Sequence, residues 1–337
     1  MEMLYDNIFE AIRSFAPSSP LLQLNDDYGM LFRRTNKYEI IDMGDHIAAF
    51  PGFPFRLFRG EYRKYNSCKA SIFRNNDPDD KIIDELKIIE FKNILLTFPQ
   101  VQYAIEDHMK VDFLALAQHY ELNTNLIDVT SEPEIAAYFA THRWVKKVAV
   151  PVETGIGCIR CFTSPTLTAT EIDPKFHMIG LQCFQRPGIQ AAYGFEMEAE
   201  EDLADRGWCV YFKQNADASR LIHTNFHVNQ DKVNKLRANG IYRKIEPNEI
   251  EDTDSWLFPK EEIADIAKTV KASKRISKAA VEEYGRSFED ALRRKGIKIV
   301  ERPVYSLSEE HRRELEEQYR GHPYGDVQLM AIPVLRK

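Results

Sequence analysis

The stretch LALAQHYELNTNLIDVTSEPEIAAYFAT, residues 114–141, decides how this chain folds. With VDF before it, its apolar residues recur at helical spacing and predict a helix over 111–119, with Asp112 near the start. Asn123 and Asn125 suit a turn. LIDVTS, 126–131, is short, apolar and partly β-branched, which predicts a strand. SEPEIAAYFATH predicts a second helix. Ser131 is placed as its N-cap, Pro133 fits the first turn, and Glu134 stands where a capping-box acid belongs.

Reading outward, residues 80–98 put Ile82, Leu86, Ile89, Ile94 and Phe98 on one broad helical face. Before them, FPGFPFRLFRGEYRKY is aromatic-rich and broken by Pro and Gly. Residues 55–59 read as a short buried strand that delivers Arg59 to its end. Residues 3–15 place Leu4, Ile8, Ile12 and Phe15 at helical spacing, stopped by Pro17 and Pro20. Residues 21–50 read as short strands and turns. Residues 145–230 read mostly as strands: KKVAVPV, GCIRCF, HMIGLQCF, AAYGFEME and WCVYFKQ. Residues 230–270 return to helix, with a break at IEPNEIEDTDSWLFP. A charged helical region over 262–298 and a Glu/Arg-rich helix at 308–319 complete the chain. No internal repeat stands out.

The composition is that of a globular protein: 337 residues, 44% hydrophobic, 29% charged, formal net charge −7. An acidic chain lacks a global basic field for nucleic acid. No apolar run approaches a membrane span, and the N-terminus, with Glu2 and Asp6, does not read as a secretory signal. Five cysteines, an odd and sparse set, read as reduced thiols. A soluble, cytoplasmic protein is the expectation.

Three segments carry a family resemblance. Phe58-Arg59-Gly60 is the first, residues 114–141 the second, and QRPGIQAAYGFEM, 185–197, the third, with WLFP at 256–259 as a late feature. Together they resemble the FRG domain family over roughly residues 50–270. The middle segment is specific, a helix ending Ala-Gln-His, a strand ending Asp-x-Thr-Ser, and a helix with Ala-x-x-Phe-Ala. It is also similar to the Ser-Thr-Ser strand and following helix of ADP-ribosyltransferases. The resemblance implies an α+β fold: an ADP-ribosyltransferase-like split β-sheet core with flanking helices and a helical C-terminal extension. It divides the chain into an N-terminal helix with short strands (1–50), the FRG domain (51–270) and a charged, mainly helical extension (271–337).

The same resemblance implies NAD as substrate, with no metal, and names candidate residues. Arg59 would hold the diphosphate or ribose, since its planar fork pairs with such oxygens; its alternative is a structural pairing with a carboxylate. His119 would hydrogen-bond a ribose hydroxyl or the scaffold of the site. Tyr120 would stack on nicotinamide, or belong to the core. Asp128 would steady Arg59 or His119. Thr130 would line the pocket while Ser131 caps the helix. The polar position where relatives carry a catalytic Glu falls on Gln190, which carries no charge. Glu196 and Glu198 have the Glu-x-Glu spacing of arginine-modifying relatives and by alternation would share a strand face; the alternative is a solvated strand edge beside Glu200, Glu201 and Asp202. Arg186 is a further cation for a phosphate or a salt bridge.

Other clusters read as structural. Cys158 and Cys161 would point to opposite faces of a strand, and His223 and His227 lack the glutamate of a metalloprotease helix. Residues 268–298 hold ten Lys or Arg against four acids. They would dock RNA, DNA or an acidic protein, or form a solvated helix surface. The expected activity is transfer of ADP-ribose to a macromolecular acceptor, nucleic acid or protein, in a toxin or antiphage defence effector, with an antitoxin or inhibitor as a further partner. Two alternatives compete: a catalytically inactive NAD or ADP-ribose sensor, and a nucleic-acid or protein interaction module.

Overall fold

In the computed structural model, residues 3–23, 37–42, 47–50, 56–145, 148–164, 175–227, 257–258, 261–321 and 328–331 are described. The chain starts with a two-residue strand, β1 (Leu4–Tyr5), and helix α1 (Ile8–Phe15). Asn7 caps α1 by accepting the Glu10 N–H at 3.0 Å. The helix is therefore shorter than 3–15, and Leu4 lies exposed beside Tyr211 in a sheet. Strands β2 (Lys37–Asp42) and β3 (Ile47–Phe50) pair antiparallel, and β4 (Arg56–Glu61) follows. Asp77 caps α2 (Pro78–Leu95), and Pro99 opens a new helix, α3 (Pro99–Glu106). Phe98 thus lies past the end of α2, where Pro at the next position stops the ladder.

Helix α4 (Phe113–His119) begins where the pattern predicts, its Asp112 carboxylate accepting the Ala115 N–H at 2.9 Å. Strand β5 (Leu126–Thr130) and helix α5 (Pro133–Thr141) follow. Ser131 is not the N-cap of α5. The capping position falls on Glu132, whose N–H donates to Thr130 Oγ1 at 3.1 Å, while the Ser131 N–H donates to the Ala191 carbonyl at 3.2 Å. Glu134 does not close a capping box either; it is buried and accepts the Ser19 hydroxyl.

Beyond α5 come β6 (His142–Val145), β7 (Val148–Pro151), β8 (Ile156–Thr163) and β9 (Phe176–Met178). HMIGLQCF yields only two residues of β9, and QRPGI forms a short helix, α6 (Gln185–Ile189), because Pro187 suits a first helical turn better than a ladder. Then come β10 (Ala192–Glu196), β11 (Trp208–Lys213) and α7 (Ala216–His227).

One seven-stranded mixed sheet runs β1-β11-β8-β4-β5-β10-β9. Its two halves are well laddered. Arg56–Glu61 pair with β8 throughout, and all of β5 pairs with β10. Between β4 and β5 a single pair registers, Phe58 with Thr130. Where the strands part, Arg59 Nη1 donates to the Asp128 carbonyl at 2.6 Å. Arg59 is thus mid-strand, opposite Arg160 and followed by Gly60 and Glu61, rather than at a strand end. One face of the sheet buries Leu57, Ile127, Val129, Phe162, Tyr193 and Phe195. The other receives α5 and α1.

Helix α5 lies directly on the β4 backbone. A Cβ at Gly60 would sit 1.8 Å from the Ala136 carbonyl oxygen and 2.7 Å from the Ala140 nitrogen. Small residues on α5 and glycine on β4 are therefore one requirement expressed at two sites.

After residue 260 the described elements are α8 (Glu262–Ala272), β12 (Arg275–Ser277), α9 (Lys278–Tyr284), α10 (Glu289–Lys295), β13 (Lys298–Val300), α11 (Glu309–Tyr319) and β14 (Gln328–Ala331). The region is not purely helical: β12 and β13 pair parallel, and β14 pairs with β2. Ile276, Ala280, Leu292 and Ile297 pack on Ile83 and Leu86 of α2. Buried Glu90 ties the region down by accepting the Ser277 N–H at 3.0 Å and the Val304 N–H at 2.9 Å. Much of the basic run is used internally. Arg294 pairs with Asp79, Lys295 with Asp77, and Lys271 donates to the Glu121 carbonyl. No helix among the described residues is long and apolar enough to cross a membrane.

A charged clamp joins α4 to the edge of the sheet. His177 Nδ1 donates to Asp112 Oδ2 at 2.7 Å and Nε2 to Glu196 Oε2 at 3.2 Å. A ring with both nitrogens facing carboxylates is an imidazolium. Burial disfavours its charge, but Asp112 and Glu196 hold its pKa above the ordinary value. Burial likewise opposes the Asp112 charge, yet His177, Lys110 and the Ala115 N–H hold it well below the carboxylate range.

Two outcomes follow. Gly60→Ala forces α5 off β4, so the urea midpoint falls by the equivalent of about 1–3 kcal/mol or more. The His177 contribution is fully present below the ordinary His value of about 6.5 and is lost as pH rises through the raised one. Asp112 contributes above the ordinary carboxylate value and fails only as pH falls through its depressed one. Urea midpoints measured across neutral to alkaline pH therefore decline in the wild type, and His177→Gln flattens that part of the decline.

Candidate active site

The parting of β4 and β5 leaves a cavity of about 150 Å³. That is the scale of a single six-membered ring. Phe58, Arg59 and Gly60 line it from β4, Asp128, Val129 and Thr130 from β5, Ile135, Ala136 and Phe139 from α5, with His119, Gln190 and Ala192 completing it.

His119 is the last residue of α4 and is buried. Its Nδ1 lies 3.0 Å from Gln190 Oε1, and Gln190 Nε2 donates to the Leu257 carbonyl at 3.0 Å. Gln190 Oε1 is thus the acceptor and His119 Nδ1 carries the proton. His119 Nε2 faces Asp128 Oδ1 at 3.6 Å. Asp128 Oδ2 accepts from Gln118 Nε2 at 3.3 Å. Among the described residues, His119 Nε2, Asp128 Oδ1 and Arg59 Nε are buried with no hydrogen-bond partner. Each costs about 1–3 kcal/mol in that state. Arg59, His119 and Asp128 therefore bring side chains with unmet hydrogen bonds to the cavity lining.

Arg59 keeps its charge there. Burial works against it, but Cys68, Glu61 and Asp128 raise its pKa above the ordinary value. Its Nε stands 3.8 Å from Glu61 Oε1. Thr130 Oγ1 donates to the Gln190 carbonyl at 2.8 Å, which pins the approach to β10. The next residue, Ala191, has φ +44°, a left-handed conformation that costs a non-glycine residue about 1–2 kcal/mol. The turn aims Gln190 back at His119 instead of letting β10 begin one residue earlier.

Arg59, His119, Asp128, Thr130 and Gln190 therefore converge, and the other sequence candidates do not. Tyr120 lies behind His119: its hydroxyl donates to Glu261, and the Arg186 guanidinium stacks 4.4 Å from its ring. Burial first, then Glu261, pushes the Tyr120 hydroxyl well above its ordinary pKa. Arg186 is buried and donates to the His119 carbonyl at 2.9 Å, so it supports the end of α4. Ser131 does not line the cavity and contributes only its N–H to the β10 junction.

Glu196 pairs across from Leu126, at the far end of β5 from Thr130. Four strand residues separate it from that junction, roughly 13 Å. It accepts from Asn125 Nδ2 at 3.0 Å and from His177. Glu198 is past the end of β10, exposed, and paired with Lys175 at 3.3 Å. Among the described residues, the carboxylate that lines the cavity is Asp128.

The remaining motifs are placed as follows. Cys161 joins the core beneath α5, whereas Cys158 lies beside Glu61 on the other face. His223 Nδ1 faces His142 Nε2 at 3.1 Å, and the His227 side chain is outside the described residues, as are Trp256 and Pro259 of WLFP. Sequence reasoning missed Glu61, Gln118 and the Leu257 carbonyl. Glu61 was within reach, because strand alternation puts it on the same face as Arg59.

Residues 56–148 match the family model described as FRG domain. No curated protein and no solved structure matches the chain. The matched segment supplies Arg59, His119, Asp128 and Thr130, and Gln190 reaches the cavity from beyond it. The chain thus carries an FRG domain, spanned by residues 56–148.

Proposed function

We propose that this chain is an NAD-dependent ADP-ribosyltransferase acting on a macromolecular acceptor, with the cavity as the seat of the nicotinamide ring. One observation carries the reading: Arg59, His119 and Asp128 line a single ring-sized cavity, and each has a buried polar atom with no hydrogen-bond partner. A ring bearing a carboxamide complements that set. Its carbonyl accepts from Arg59, and its amide hydrogens donate to His119 and Asp128. The parting of β4 from β5 supports the ADP-ribosyltransferase-like reading of the sheet.

NAD supplies a nicotinamide–ribose bond whose cleavage leaves positive charge on the ribose, as glycoside cleavage does. Asp128, in a water-poor recess, opposes that charge. His119 Nε2 accepts a proton from a hydroxyl or acceptor group brought to it. Gln190 holds the His119 ring through Nδ1, and Arg186 and Tyr120 hold the end of α4. In this proposal the protein is a toxin or antiphage effector, restrained by an inhibitor protein, whose acceptor is nucleic acid or protein.

A binding-only sensor is the second reading, favoured by Gln190 at the position of the expected Glu and by the distance of Glu196 and Glu198 from the cavity. The interaction-module reading draws less support, since Arg294, Lys295 and Lys271 are spent on contacts within the protein.

The test is nicotinamide release from labelled NAD, with purified protein alone and with RNA, DNA or cell lysate. Release should accompany transfer of label to one acceptor class. His119→Ala and Asp128→Asn should each lower the rate by about 10²–10⁴-fold while leaving the fold intact. Saturable NAD binding without release would establish the sensor instead. A folded protein that neither binds nor cleaves NAD would sink both readings.

A further inference from the structure

On the face of the sheet away from α5, two cysteines approach each other. In the register of β8 and β11, Tyr211 stands opposite Cys158 and Cys209 opposite Arg160. The cysteines are therefore diagonal neighbours, with their sulfurs 3.7 Å apart. Cys158 is buried and Cys209 half-buried. Arg160 Nε donates to Glu61 Oε2 at 3.0 Å and its Nη2 to the Tyr65 carbonyl at 2.8 Å. The Cys158 thiol also reaches Glu61 Oε2, at 3.7 Å.

We propose that Cys209 and Cys158 form a hydroperoxide-reactive dithiol, with Cys209 the attacking sulfur and Cys158 the resolving one. The arrangement divides the two roles. Cys209 has partial solvent access, an S–H donor beside it and the Arg160 guanidinium near it, all of which favour a thiolate. Cys158 has no such access, but it has a carboxylate next to it that can take its proton. The hydrogen bond from Cys158, with Arg160 and Tyr211, outweighs burial and lowers the Cys209 pKa to about 6. Cys209 and burial push Cys158 far upward. Burial pushes Cys161 and Cys183 each up to about 12, as in inert core thiols.

The chemistry balances in two steps. The Cys209 thiolate attacks the O–O bond of the hydroperoxide. An S–O bond forms, the O–O bond breaks, and the departing oxygen takes a proton to leave as water or alcohol. Cys209 becomes a sulfenic acid, oxidised by two electrons, and the peroxide is reduced. Cys158 then passes its proton to Glu61 and attacks the Cys209 sulfur. An S–S bond forms, the S–O bond breaks, and the hydroxide collects a proton as water. The sulfurs must close from 3.7 Å to about 2.05 Å, which for a diagonal pair requires the strands to shift. A bond made under that strain is readily reduced by external thiols. The site does not depend on the transferase reading. It adjoins the cavity, because Glu61 faces both Cys158 and Arg59.

The experiment treats the full chain with hydrogen peroxide at neutral pH, alkylates the remaining thiols and maps peptides without reduction. The expected result is a Cys158–Cys209 cross-link that dithiothreitol reverses. In Cys158→Ala the cross-link should vanish and a dimedone adduct should appear on Cys209. Iodoacetamide alkylation of Cys209 in the untreated wild type should be half-maximal near pH 6 rather than near the ordinary value of about 8.5. That measurement needs no variant. Peroxide-treated, folded protein with both thiols free or cross-linked elsewhere would overturn the proposal. So would a Cys209 alkylation profile centred on the ordinary thiol value.

Discussion

The hydrogen bond from Arg59 to the Asp128 carbonyl holds together a sheet that its own ladder leaves almost divided. β4 and β5 share one registered pair, and a β5 carbonyl just beyond it would face a gap. A charged side chain takes the place of a strand N–H at that point. The substitution keeps the sheet continuous and the gap open. A Leu or Val at residue 59 would satisfy neither need, since it offers no donor to the carbonyl and no polar atom to the cavity.

The groups around the gap are arranged so that each fixes the next. Leu257 orients Gln190, Gln190 holds the His119 ring through Nδ1, and His119 Nε2 and Asp128 Oδ1 are left facing each other at 3.6 Å without a hydrogen bond. Buried polar atoms without partners are unfavourable unless something that satisfies them enters. The fold tolerates this because the surrounding core is well packed: Phe58 with Phe15 on one side, Tyr193 with Phe176 on the other. The left-handed backbone at Ala191 is a further cost accepted at the same place.

The legible parts of the sequence were those where local pattern and tertiary need coincide. The helix ending in His119, the strand ending in Thr130 and the helix after Pro133 form as read, because spacing, Asp112 and proline all favour them. Ser131 was misread as a cap because a capping preference is local, whereas its N–H is claimed by Ala191, sixty residues away in sequence. Of the two readings of Tyr120, a ring-stacking residue or part of the core, the structure bears out the core. Tyr120 adjoins His119, but the helix end turns it toward Arg186 and Glu261. Composition and periodicity do not encode such partners. The convergence of Gln190 on His119 was legible only as a family resemblance, since nothing local to QRPGIQ says what the glutamine faces.

At Gly60 a main-chain strand and a main-chain helix meet with no side chain between them. Most cavities are roofed by side chains, which rotate aside for a larger guest. This roof is made partly of peptide groups riveted to the strand beneath, so it cannot yield by changing rotamers. On that side the bound on what enters is written into the backbone, and evolution could widen the specificity of this recess only through its side-chain walls, such as Phe139, His119 and Gln190.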